Sequence, residues 1–94
     1  MWLWYNETMK ELERCLKALA NKRRLAIVKL LRTRREATVG EIAAAIRLSF
    51  KSTSRHLAVL KAADIVENEQ RSISYYYRLA STHHPAAKAI ISIV

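Results

Sequence analysis

Apolar residues recur along this chain at two different periods, and the change of period separates a helical majority from one strand-forming segment. From about Glu7 to Ala20, Leu12, Cys15, Leu16 and Leu19 return at three- and four-residue steps, the spacing of one helix face. Asn21 can cap the next helix, in which Leu25, Val28 and Leu31 line one face and Ile27 and Leu30 widen it. That helix is expected to run out in the polar, basic stretch Arg32-Thr33-Arg34-Arg35-Glu36. Thr38 followed by Glu41 is a capping box, and the apolar run from Ile42 to Ile46 predicts a short third helix ending near Arg47. Ser49 is a second good N-cap, opening a fourth helix in which Thr53, His56, Leu57 and Leu60 share a face. Leu48, in the connection, is placed to pack beneath both. Two short helices joined by a three- or four-residue turn make a helix-turn-helix.

Residues 65–79 change period. Ile73, Tyr75, Tyr77 and Leu79 alternate with Ser74, Tyr76 and Arg78, the two-residue repeat of a half-buried strand. Ile65 and Val66 begin a shorter strand upstream, and the polar Asn68-Glu69-Gln70-Arg71-Ser72 reads as a hairpin connection. Ser81 to His84 predict a turn, and Pro85 suits the first position of a last helix, Ala86 to Val94, with Ile90, Ile91 and Val94 on one side. The expected architecture is mostly α with a two-stranded β wing: four helices, a hairpin and a fifth helix.

Length and composition narrow the class. Ninety-four residues suit a single domain spanning 1–94, and a hydrophobic content of 51% argues against disorder. Lys and Arg outnumber Asp and Glu 17 to 8, a formal charge of +9, which favours an anionic partner, either nucleic acid or a membrane surface. The single cysteine, Cys15, cannot form an internal disulfide and fits a reducing compartment. The opening MWLWY is too short for a signal sequence, and the closing AAKAIISIV is about half of what a spanning helix needs. The expectation is a cytoplasmic protein with no membrane segment.

The candidate chemistry follows from these elements. With Thr53, His56, Leu57 and Leu60 turned inward, Phe50, Lys51, Ser52, Ser54 and Arg55 face outward at the start of the fourth helix, the end at which a motif helix meets base edges. Arg55 can donate two hydrogen bonds to guanine, and Ser52 and Ser54 can contact bases or phosphates. The wing offers Arg71 at its tip and Arg78 on its outer face, with Gln70 and Ser72 as further phosphate contacts. Tyr75 and Tyr77 are read as core, Thr53 as bonded back to a backbone carbonyl, and His56 as a packed, satisfied histidine. Lys22, Arg23 and Arg24 read as a solvated charge run, and Cys15 as a small hydrophobe that two paired first helices could bring together. No phosphate loop, Ser/His/Asp grouping or paired-carboxylate cleft is visible, so no enzyme activity is expected.

The segment SFKSTSRHLAVLKAADIV (49–66), the hairpin ending YYYRLA (75–80) and ALANKRRLAIVKLL (18–31) together resemble the ArsR-type family of repressors, over roughly residues 12–80. The resemblance implies a winged helix-turn-helix homodimer whose second motif helix enters the major groove, and ligand-controlled repression if a ligand site is present. Where metal-sensing members carry Cys-Val-Cys, this chain has Thr38-Val39-Gly40. His83 and His84 could begin the second metal site of the family but have no later partners. Neither metal nor cofactor is therefore expected. The glycines usual before the first wing strand and at the wing tip are replaced by Asp64 and Ser72.

Two amphipathic terminal helices carry more apolar surface than one small core absorbs, so a homodimer is expected. Its interface would be built from Trp2, Leu3, Trp4 and Leu12 with Ile90, Ile91 and Val94. The reading is a sequence-specific regulator, a repressor, on an inverted-repeat operator in double-stranded DNA. Its rivals are a sequence-indifferent architectural binder and a winged helix used for protein–protein assembly.

Overall fold

A computed structural model describes residues 4–94. Five helices and three strands follow one another as α1 (Glu7–Leu19), α2 (Lys22–Arg34), β1 (Glu36–Thr38), α3 (Val39–Ile46), α4 (Phe50–Ala62), β2 (Val66–Arg71), β3 (Ser74–Leu79) and α5 (Pro85–Ile93). Each helix begins where a side chain accepts from its orphan N–H groups, His84 serving α5 just before Pro85. Asn21 Oδ1 accepts from the N–H groups of Arg23 and Arg24 at 2.9 and 3.1 Å. At α3 the capping box is complete: Glu41 N donates to Thr38 Oγ1 at 3.2 Å, and Thr38 N donates to Glu41 Oε1 at 2.8 Å. Ser49 Oγ accepts from Ser52 N at 3.1 Å and opens α4. Asn6, which the sequence reading passed over, does the same for α1 through Met9 N at 3.0 Å.

The core forms around α2, whose Ile27, Val28 and Leu31 are buried against Cys15 and Leu19 of α1, Ile42 of α3, Leu57 and Leu60 of α4, and Ala87 and Ile91 of α5. Ile65, just before β2, closes it on the sheet side. Among the described residues, no helix is long and apolar enough to cross a membrane.

The hairpin wing is present, and a third strand joins it. β1 pairs antiparallel with β3, Ala37 opposite Tyr77, in the order β1-β3-β2. Three residues are too few to show a period, so this strand left no trace in the hydrophobic pattern. The wing is also tighter than expected. Asn68 to Arg71 belong to β2, Arg71 pairs with Ser74, and the turn is Ser72-Ile73 alone. Ser72 takes φ 57°, the positive angle that a two-residue hairpin turn demands, and Asp64 takes φ 59°. Both positions that commonly hold glycine are thus left-handed here, with Asp and Ser bearing the strain. Ile73 falls on the turn and is 93% exposed, and Tyr75 is 47% exposed, so neither is core. Tyr77 and Leu79 pack on it as expected.

One inward residue of α4 is mismatched to its surroundings. Thr53 is fully buried, yet its hydroxyl has no hydrogen-bond partner, so the expected bond back to a carbonyl is absent. A buried hydroxyl without a partner keeps its desolvation cost, whereas an apolar side chain of the same shape does not. Thr53→Val is therefore expected to stabilise the fold by about 1 kcal/mol, seen as a higher urea midpoint with unchanged slope; a lower midpoint would show that the hydroxyl is satisfied in solution.

Candidate nucleic-acid interface

The start of α4 gathers most of the sequence candidates. Thr53, Leu57 and Leu60 hold one side of the helix on the core, which turns Phe50, Lys51 and Arg55 to solvent, with Ser52 and Ser54 half-buried at the edges. Because Ser49 caps the helix, Ser52 N is satisfied, while the N–H groups of Phe50 and Lys51 have no acceptor within the helix. Those N–H groups and the helix dipole favour an anion there. From residue 42 to residue 63 the chain carries Arg47, Lys51, Arg55 and Lys61 and no Asp or Glu. The surface is cationic, hydroxyl-bearing and exposed, with the chemistry that phosphates and base edges require.

The wing differs from the expectation. Arg71 is not free at the tip: it lies one residue before the turn, and its two terminal nitrogens donate to Glu36 Oε1 and Oε2, both at 2.8 Å. One of them also donates to Glu69 at 3.2 Å, and the guanidinium sits 4.5 Å from the ring centre of Tyr76. Arg78 is on the outer face as predicted but donates to Glu69 and Glu67, both at 3.1 Å. The face thus carries an alternating ladder of three carboxylates and two guanidiniums. The Arg71 hydrogen bonds hold Glu36 and Glu69 below the ordinary carboxylate range and raise Arg71 itself. Gln70 and Ser72 remain exposed. What this face lacks is uncommitted positive charge.

Two arginines of α2 are likewise committed, inside the fold. Arg24 donates through Nε to the Ala18 carbonyl at 2.6 Å and through a terminal nitrogen to the Lys17 carbonyl at 3.2 Å, closing the C-terminus of α1. Its other terminal nitrogen lies 3.2 Å from His56 Nδ1 on α4. Arginine can only donate, so Nδ1 accepts and the imidazole is neutral, with its proton on Nε2. Arg32 caps α5 in the same way, donating to the carbonyls of Ile91 and Ser92 at 3.0 and 3.1 Å. Arg24 is therefore a structural clamp, not part of a solvated run. Its acceptors lie across a helix cap, where no local pattern marks them.

The remaining candidates have structural roles. Cys15 is buried among core side chains, as read from the sequence, and burial pushes its thiol up. His83 Nε2 is 3.0 Å from the Ile65 carbonyl, and His84 Nδ1 accepts from Ala86 N at 3.1 Å. Among the described residues, no three of His, Cys, Asp or Glu converge as a metal site would require.

Comparison with known proteins agrees with this arrangement. Residues 21–68 match the model of the bacterial regulatory protein arsR family. The transcriptional activator HlyU of Vibrio cholerae is 37% identical over 79 residues, 84% of this chain and 69% of that protein. Its solved structure superposes with a TM-score of 0.80, covering 95% of this chain and 92% of that one. The HTH-type transcriptional regulator Rv0324 of Mycobacterium tuberculosis is 34% identical over 92% of this chain, which spans only 38% of that protein. The homodimeric winged helix-turn-helix DNA-binding domain Mb0332 of Mycobacterium bovis, 29% identical, superposes at 0.81 over 97% of this chain and 85% of that one.

The Arg24–His56 contact carries a pH signature. Burial, then the charges of Arg24 and Arg23, hold His56 below the ordinary imidazole range. The unfolded chain then binds a proton that the folded one refuses, so this contribution is fully present above about pH 6.5 and is lost as pH falls below it. The urea midpoint is expected to decline from pH 7.5 to 5.5, and less so in His56→Gln. Equal declines in the two proteins would remove His56 as the source.

Proposed function

The chain belongs to the arsR family of bacterial regulatory proteins, and from that premise we propose that it is a sequence-specific transcription regulator that works as a homodimer on an inverted-repeat operator. The observation that carries this reading is the acid-free start of α4, where Lys51 and Arg55 stand exposed on a helix held rigidly by its opposite face. In this proposal Arg55 reads guanine, Ser52 and Ser54 contact bases or phosphates, and Lys51 contributes electrostatic grip. Gln70 and Ser72 extend the contact along the wing. Arg71 and Arg78, committed to carboxylates, chiefly stiffen the wing that presents them. Occupying promoter DNA represses without any further surface; HlyU is named an activator, so the sign of regulation depends on where the operator lies. A cytoplasmic location follows from this role.

The dimer reading keeps α1 but changes its residues. Trp2 and Leu3 lie outside the described residues. Ile91 is buried in its own core, and Ile90 and Val94 are half-buried against it, so they offer less free surface than the sequence suggested. At the terminal helices the most exposed apolar side chains are Trp4, Tyr5, Met9 and Leu16, with Ile93 of α5, and Tyr5, Met9, half-buried Leu12 and Leu16 line one patch. A continuous apolar face on a solvated helix marks an interface, and a second copy of α1 fits it by two-fold symmetry. The double variant Met9→Glu, Leu16→Glu is expected to be monomeric by light scattering at micromolar concentration. Persistence of the dimer would move the interface elsewhere.

Specificity has its own test. A bidentate arginine–guanine contact is worth about 1–3 kcal/mol of discrimination. Arg55→Ala is expected to weaken binding to a selected duplex by about five- to 150-fold, the range that contact sets, and random duplex far less. Half-sites should lie about one helical turn apart, as a two-fold pair of α4 helices requires. Fluorescence anisotropy against selected and random duplexes decides it: if wild type binds both alike, an architectural binder replaces the regulator.

A further inference from the structure

The exposed apolar side chains are not all on α1. Phe50 (63% exposed), Ile73 (93%) and Tyr75 meet on a different part of the surface. With Val39 and Gly40 they line one crevice of about 300 Å³ between the wing tip and the starts of α3 and α4. Among the described residues, nothing covers Ile73. It follows Ser72, which takes the positive φ of this two-residue turn, and it is a bulky apolar side chain at the apex that buries almost none of its surface. Phe50 is likewise spent on no core contact at the first position of α4. At Gly40 an added Cβ would meet nothing within 4 Å, so that wall is bare backbone open to approach.

What fills such a crevice must suit its rim as well as its walls. The neighbouring stretch 42–63 is cationic throughout, which selects a polyanion. A polyanion that also offers apolar surface is DNA, through its deoxyribose rings and the C5 methyl of thymine. The place is continuous with the interface already described: Phe50 opens the helix assigned to the major groove, and Ile73 is the apex of the wing beside it. On a duplex held this way, the strand that separates the two grooves would pass between them. Resting on the duplex-binding reading above, we infer that this crevice seats one sugar–phosphate strand. Phe50 meets a thymine methyl on the major-groove side, while Ile73 and Tyr75 pack on deoxyribose toward the minor groove.

An apolar contact differs from an ionic one in its salt dependence. Losing a phosphate contact flattens the plot of log affinity against log salt, whereas losing an apolar contact lowers the whole line. Anisotropy with a selected duplex at several salt concentrations is therefore run on wild type, Ile73→Ser and Phe50→Ala, whose melting should be unchanged because both side chains are exposed. Ile73→Ser is expected to weaken binding about tenfold at constant slope. Replacing the contacted thymine by deoxyuridine should cost wild type about fourfold and cost Phe50→Ala nothing further. Wild-type affinity in both variants, or losses confined to the slope, would overturn the assignment. A changed mass by light scattering in Ile73→Ser would do so too, by making the crevice a protein contact. Selective binding by wild type with indifferent variants sinks this inference alone; absence of selective binding by wild type sinks the regulator reading with it.

Discussion

The structure depends on the burial of α2. Ile27 and Val28 are fully enclosed, and the helix packs against α1, α3, α4, α5, β1 and β3. Its apolar residues are spread round its circumference, as they must be in a helix with neighbours on several sides. Deleting methyl groups from such a position costs about 2–5 kcal/mol, a large share of what a 94-residue domain has. The polar ends of α2 serve the same role by other means. Arg24 and Arg32 reach from it to the last carbonyls of α1 and α5, groups that no backbone donor can satisfy.

The distribution of charge follows from what this frame leaves outside. Nine cations lie between residues 14 and 35 without an acid, and four more between 42 and 63. The carboxylates fall mainly on α1 and on the outer face of the sheet, where Glu36, Glu67 and Glu69 exceed Arg71 and Arg78 by one. Arg14, Lys17 and Arg34 are paired with Asp64, Glu13 and Glu41, whereas among the described residues the cations of 42–63 meet no carboxylate. On the broad face of the wing both guanidiniums are paired with carboxylates, which is why the proposed function gives Gln70 and Ser72, not Arg71 and Arg78, the contacts there.

Local signals were legible and distant ones were not. Asn21, Thr38 and Ser49 accept from N–H groups within four residues, and Pro85 fixes its own φ at the first helical position, so their effect can be read from a short window. The period-two run gave the wing, but its end could not be placed, because the polar residues 68–71 suit a solvent-facing strand as well as a loop. The ladder escaped entirely: Arg71 meets Glu36 across 35 residues of chain, and the meeting depends on the three-residue β1. The same holds for the candidate site. Helix phase put Lys51 and Arg55 outside and Leu57 inside, but it could not tell that Arg71 was already engaged.

Arg24 joins the two surfaces on which the proposed function rests. Its guanidinium touches the carbonyls of Lys17 and Ala18, at the end of the helix whose outer face carries Met9 and Leu16. It also touches His56, one residue past Arg55 on the helix that presents the candidate reading residues. In a two-fold dimer, the distance between the two α4 helices is set by how each α4 is held relative to its own α1. A clamp made of directional hydrogen bonds fixes that relation more sharply than apolar packing alone, because each bond weakens steeply with angle. In the proposed dimer, an event that moves α1, whether at its outer face or at the Arg24 cluster, would change the spacing at which the two α4 helices meet successive turns of a duplex.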